Sequence, residues 1–302
     1  MCRPTFYGVA YVINPWMDRR RQPNRPLALR QWQSLRRTLQ EDLGATVHCC
    51  RARPGLPDMT FTANAGLAHR GVFIPSRFRY RERAGEAPHF TRWFRAHGYR
   101  IMRLPGAAAG RRRGTGNSDR DERTRSDARA GLPALRTDSG NYAQPPHSEG
   151  HSFEGAGDAL PMGDRLFAGY RFRSDIQTHA AVGAALGVRV LSLELVNPYF
   201  YHLDTCFMPL SEELAIYYPD AFDRYGRRVI RENVADLLPV RHEEAYQFAC
   251  NAVSVNRRVV ISAPCRSLAR ELKRRGFAVF PLDLSEFRKA GGAARCLTLR
   301  LT

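Results

Sequence analysis

Residues 200–207 read Phe-Tyr-His-Leu-Asp-Thr-Cys-Phe, setting His202 and Asp204 two positions apart with Cys206 close behind in an apolar run. On a strand, side chains at i and i+2 share a face, so His202 and Asp204 are expected to point together. A base beside an anion suits proton transfer; it equally suits a buried histidine held by a carboxylate. Cys206 runs into Phe207-Met208-Pro209-Leu210 and is expected in the core, where free cysteine packs as a small hydrophobe. A second cysteine, Cys296, lies in AGGAARCLTLRLT, read as a strand with Leu297, Leu299 and Leu301 facing inward. There Cys296 starts the strand beside the flexible Gly291-Gly292 pair, within reach of a substrate. Two further stretches carry polar side chains at turns. In FEGAGDAL, Glu154 and Asp158 bracket glycines that permit close backbone approach, and in DMTFTANAGL, Asn64 stands where an apolar strand meets a turn.

The elements that must position these residues repeat. LALRQWQSLRRTLQEDLGATVHCC, HFTRWFRAHGYRIMRLP, DIQTHAAVGAALGVRVLSLEL and CRSLARELKRRGFAVFPLDL each read as an amphipathic helix followed by a strand. Gly44, Gly98, Gly187 and Gly276 are the expected helix stops. The strand after Gly98 is expected to run from Tyr99 to Leu104. TFTANAGLAHRGVFIP and CNAVSVNRRVVISA read as strand pairs joined by short polar turns. Residues 106–152, rich in Arg, Asp, Gly and Ser, contain too few large apolar groups to offset their ordering entropy and read as a disordered, low-complexity insertion. Its place directly before Phe153 bears on Glu154: a lost strand there would misplace that acid and impair the site.

At 302 residues and 43% hydrophobic, the chain can bury a large core, and residues 1–302 read as a single domain. The net charge of +18 raises nucleic acid as a partner. Yet Lys273 and Lys289 are its only lysines, and the arginines are scattered rather than gathered in a stripe, which argues against that partner. No secretory signal and no apolar run long enough to span a membrane is evident, and seven cysteines without CxxC spacing argue against a disulfide framework or zinc ribbon. A cytoplasmic protein with reduced thiols is expected; its oligomeric state is not legible.

Taken in order, the four chemistry-bearing stretches resemble the guanidino-group-modifying superfamily: arginine deiminases, dimethylarginine dimethylaminohydrolases, amidinotransferases and bacterial arginine dihydrolases. The resemblance implies an α/β fold, a pseudo-fivefold propeller of ββαβ modules (the pentein fold), consistent with the repeating units above. It implies Cys296 as nucleophile, His202 as acid and base, and Glu154 as its orienting partner. Asp158, Asp204 and Asn64 would hold the guanidinium. GYRFRSD resembles a segment that binds the substrate α-carboxylate, pointing to Arg173, and FRYRE resembles another, pointing to Arg79. Deiminases carry aspartate where Asn64 stands, and the FTANAG form looks like the arginine dihydrolase branch. The implied reaction is hydrolysis of arginine through a covalent Cys-amidino intermediate, releasing ammonia and giving ornithine, or citrulline after one round, with neither metal nor cofactor required. Dimethylarginine hydrolysis, amidino transfer and a catalytically impaired relative are the alternatives on this scaffold, and a basic binding module is the alternative outside it.

Overall fold

The computed structural model describes residues 1–105 and 150–301. Twelve short strands form four three-stranded sheets. The first holds β1 (Gly66–His69), β2 (Val72–Pro75) and β3 (Arg100–Ile101); the second β4 (Ala159–Met162), β5 (Arg165–Tyr170) and β6 (Arg189–Glu194). The third holds β7 (Phe207–Pro209), β8 (Leu214–Tyr217) and β9 (Asp236–Pro239); the fourth β10 (Val253–Val255), β11 (Arg258–Ser262) and β12 (Ala278–Leu282).

Every sheet has one plan. Its first two strands form an antiparallel hairpin, and the third returns parallel to the second after a helix. A parallel return needs a crossover long enough to span the sheet, which a helix supplies. The crossover helices are Ala87–Ala96, His179–Leu186, Arg224–Asn233 and Arg266–Arg274. A fifth helix, Arg25–Glu41, links Cys2 to Cys50, which meet in a parallel bridge. The fifth module therefore keeps the crossover but shrinks the sheet, and the chain is a pseudo-fivefold ββαβ propeller.

All four expected glycine stops lie in the left-handed region, with φ of 72°, 83°, 66° and 78° at Gly44, Gly98, Gly187 and Gly276. The Arg224–Asn233 unit escaped the sequence reading because no glycine ends it: Asp223 caps its start by accepting from Gly226 N–H, and the chain leaves through extended Val234. Three expected strands need correction. ATVHCC pairs only at Cys50, and the strand after Gly98 is reduced to Arg100–Ile101. The C-terminal strand is replaced by a turn over 294–297, and Leu301 lies at the surface.

The expected insertion lies, over 106–149, outside the described residues. Residues 150–152 are described, and Ser152 N–H donates to Asp175 Oδ2 at 2.7 Å. Phe153 exchanges backbone hydrogen bonds of 2.8 and 2.9 Å with Arg77, so the approach to Glu154 is held by a bridge. Glu154 follows directly and meets His202 and Arg173.

Gly155, next in the chain, has φ of 60°, and an added Cβ would lie 2.5 Å from the backbone of Gly66. Only glycine allows the two turns to approach this closely. Gly155→Ala is expected to destabilise the protein by roughly 3 kcal/mol through φ strain and overlap. An unchanged midpoint in chemical denaturation would show that the turns can separate freely.

Candidate active site

The first strands of three sheets are each entered through a 3₁₀ turn, and these turns carry the polar side chains. Thr62–Ala65 precedes β1 and bears Asn64; Gly155–Gly157 precedes β4 and lies between Glu154 and Asp158; Leu203–Thr205 precedes β7 and includes Asp204. The turns pack on one another. His202 and Asp204 therefore flank and enter a turn, not the extended strand read from sequence; in a tight turn, alternation no longer decides direction.

His202 is 1% exposed and its Nε2 lies 2.8 Å from Glu154 Oε2. The same carboxylate accepts Arg173 Nη1 at 3.0 Å and the Arg79 backbone N–H at 3.1 Å. Burial would raise the Glu154 carboxyl, but Arg173 and His202 outweigh it and hold the group below the usual carboxylate range. Burial pushes His202 down to about 4 against the pull of Glu154, so the imidazole rests neutral.

Cys296 lies in the turn that replaces the expected strand and is 3% exposed. Its Sγ is 3.4 Å from Asp204 Oδ2 and accepts from Asn251 Nδ2 at 3.1 Å. Asn251 also fixes the turn, its Oδ1 accepting Ala293 N–H at 3.1 Å and Cys296 N–H at 3.2 Å. Burial, then the Asp204 charge, raises the Cys296 thiol well above its ordinary value. Burial also pushes Asp204 up to about 7, with Arg295 opposing it. A cation arriving beside this pair would favour loss of the thiol proton.

Cys296 bounds a small cavity together with Asp58, Asn64, Arg83, Arg173 and Tyr201. Asp58 Oδ1 is buried there without a hydrogen-bond partner among the described residues, a free acceptor for a cationic group. Arg173 donates Nη2 to Ile13 O at 2.9 Å and its guanidinium carbon stands 4.6 Å from the Tyr201 ring centre. Cys206 is in the core as expected.

Of the expected site residues, Asn64, Arg173 and Cys296 line the cavity, whereas Glu154, His202 and Asp204 adjoin it only through these residues, and Asp158 and Arg79 face elsewhere. Asp158 accepts Ser174 Oγ–H at 2.6 Å and Leu203 N–H at 3.1 Å, bracing the turn between His202 and Asp204. Arg79 pairs with Asp175 at 2.9 Å, about a quarter exposed, and reaches the site only through its backbone. Long side chains from one segment go separate ways, and Arg83, four residues on, is the one at the cavity wall.

Asp58, Arg83 and Asn251 were missed. A signal for Asn251 existed: Asn251-Ala252 enters the hairpin β10–β11 as Asn64-Ala65 enters β1–β2. Asp58 and Arg83 carry no local signal, because their partners are distant in sequence.

A ring of ββαβ modules with a buried cysteine, histidine and carboxylates at its centre defines the pentein class, the fold of the guanidino-group-modifying proteins. The profile described as N,N dimethylarginine dimethylhydrolase, eukaryotic, matches residues 139–302. The chain belongs to the dimethylarginine dimethylaminohydrolase family. It is 35% identical to N(G),N(G)-dimethylarginine dimethylaminohydrolase of Mycobacterium tuberculosis, over 100% of this chain and 84% of that protein. It is 40% identical to the bifunctional arginine dihydrolase/ornithine cyclodeaminase ArgZ of Synechocystis, over its full length but only 37% of that relative's. The crystal structure of the N-terminal domain of ArgZ bound to product superposes with a TM-score of 0.83 at 38% identity, covering 100% of this chain and 96% of that one. Among the described residues no helix is long and apolar enough to cross a membrane.

The raised thiol sets a pH expectation. The thiolate fraction of Cys296 in the empty site should climb about tenfold per pH unit through neutral pH to pH 9. Alkylation by iodoacetamide, followed at the Cys296 peptide by mass spectrometry, should rise with that slope. A plateau below pH 8 would mean the resting group is already a thiolate.

Proposed function

We propose that this chain hydrolyses the guanidino group of arginine through a covalent intermediate on Cys296, releasing ammonia and giving ornithine after two rounds or citrulline after one. The observation that carries this reading is the buried Cys296–Asp204 contact beside a cavity that also presents Asp58, whose Oδ2 lies 3.9 Å from Arg83 while its Oδ1 accepts no hydrogen bond among the described residues. A thiol held neutral by burial becomes a nucleophile when a cation is brought beside it, and a guanidinium is such a cation.

In this mechanism Asp204 and Asp58 grip the guanidinium, using the fork geometry that makes carboxylate pairing directional, while Asn64 stands beside them at the cavity wall. Arg173 faces the α-carboxylate. The Cys296 thiol gives its proton to neutral His202 as the sulfur bonds to the guanidino carbon, and one nitrogen then leaves as ammonia with that proton from the imidazolium. His202, again neutral, takes a proton from water; the hydroxide adds to the amidino carbon and the C–S bond breaks, returning the thiolate. Glu154 holds His202 in place and stabilises its charged form. Asp158 acts from behind by bracing the turn that carries His202 and Asp204, and Asn251 does the same for Cys296. In the second round the sulfur bonds to the ureido carbon of citrulline and the bond from that carbon to Nδ breaks, releasing ornithine; water then takes the carbamoyl group off Cys296 as carbamate, which falls apart to ammonia and carbon dioxide.

The ArgZ structures support this reading: a cysteine-to-serine variant was captured bound to substrate, and an asparagine-to-serine variant covalently bonded to a reaction intermediate. We further propose that residues 1–302 act as a single catalytic domain. The free thiols described, Cys2, Cys49, Cys50, Cys206, Cys250, Cys265 and Cys296, fit a reducing compartment such as the cytoplasm.

Incubation with arginine and separate measurement of citrulline, ornithine and ammonia tests the proposal, with dimethylarginine as the competing substrate. Cys296→Ser should abolish turnover while leaving the fold intact, and Cys206→Ser should retain most activity; reversed behaviour would reassign the nucleophile. Asn64→Asp should lower the ratio of ornithine to citrulline. An added carboxylate strengthens the hold on cationic arginine but not on neutral citrulline, so the second hydrolysis loses ground. An unchanged ratio would take Asn64 out of the account.

A further inference from the structure

We infer that Glu86, acting through Arg83, is a positioning residue that holds the Asn64 amide with its amine free for an acceptor on the ligand; this rests on the arginine-hydrolase reading above. Glu86 is fully buried and grips Arg83 at two points, Oε1 accepting Nε–H and Oε2 accepting Nη2–H, each at 2.9 Å. Two parallel bonds fix the guanidinium plane, not merely its position. Phe78, whose ring centre lies 4.7 Å from the guanidinium carbon, bears on the same group, and Asp58 O accepts from Nη2 at 3.3 Å.

So held, Arg83 aims Nη1 at Asn64 Oδ1, 2.8 Å away. An arginine has donors only, so the Asn64 atom facing it must be the oxygen. The amide direction is thereby decided, and Nδ2 is left buried with no acceptor among the described residues. Asn64, Arg83, Asp58 and Cys296 all border the one cavity.

The direction matters because the two ligands differ. A guanidinium offers only donors; the ureido group of citrulline carries an oxygen that accepts. An Asn64 whose oxygen is held by Arg83 has only its amine left to offer: nothing for the first, but a hydrogen bond for the second, and for the negative charge that grows on that oxygen under attack by sulfur. Were Arg83 free to tilt, Asn64 could turn and present its oxygen, which suits arginine and not citrulline. Glu86 touches neither ligand, so its influence is on discrimination.

The test uses the full chain carrying Cys296→Ser, with arginine and citrulline affinities measured by calorimetry. Adding Glu86→Gln is expected to weaken citrulline relative to arginine by about tenfold, the worth of one lost hydrogen bond. Adding it to a Cys296→Ser, Asn64→Ala protein should leave the ratio of affinities unchanged. A merely structural Glu86 would lower the melting temperature and move both affinities alike. If Glu86→Gln does not fold, Glu86→Asp keeps the charge and shortens the reach, and should shift the ratio in the same direction. An unchanged ratio in a folded variant, or an equal shift when Asn64 is absent, overturns the inference alone. Failure of the Cys296→Ser protein to bind either ligand overturns the hydrolase reading and this inference together.

Discussion

Exclusion of water from the centre of the ring is the constraint on which the rest depends. Burying a charge costs several kcal/mol unless partners replace the lost hydration. Glu154 meets that requirement with Arg173, His202 and a backbone N–H, and stays charged. His202, equally buried, rests neutral, while Cys296 and Asp204 are both pushed toward their protonated forms. Burial thus favours the protonated forms of Cys296 and Asp204 even with Arg295 close to both. A further positive charge beside the pair would oppose that effect of burial.

The propeller solves the problem of bringing such groups together. Each module is a small hairpin with a helix crossover, and the turns that enter the hairpins from the centre contribute Asn64, Glu154, Asp204 and their neighbours. The turns themselves are tied across modules. Ala63 N–H donates to Cys296 O at 3.1 Å, and the Asp158 carboxylate spans to Leu203 N–H. Glycine is required where they touch: a Cβ on Gly157 would meet Asn64 Nδ2 at 2.2 Å.

Two buried arginines divide the labour. Arg173 joins the Glu154–His202 side and Arg83 joins Asn64 and Glu86; burial disfavours each charged guanidinium, and pairing with Glu154 and Glu86 respectively outweighs it. A cavity walled by both signs in fixed positions reads a ligand by where its charges lie, which suits an amino acid with a cationic tail.

Much of this was legible in the residues alone. The helix-glycine-strand units were readable because amphipathic spacing and a left-handed stop are local, and Gly44, Gly98, Gly187 and Gly276 all serve as expected. Cys296, His202, Glu154 and Asn64 stood out because reactive or polar types are conspicuous in apolar or glycine-rich surroundings, although His202 and Cys296 were read on strands and lie at turns. What the chain order could not convey is direction across the ring. Asp158 and Arg79 carry the right groups yet turn to Ser174 and Asp175, while Asp58, Arg83 and Asn251 arrive at the centre without a local mark. The strand expected at Cys296 fails for the same reason: Asn251, 45 residues away, bonds to both sides of that segment and bends it into a turn. Local propensity decides elements within a few residues of chain, but a side chain's partner in a closed ring is chosen by another module, and only the packed structure specifies which.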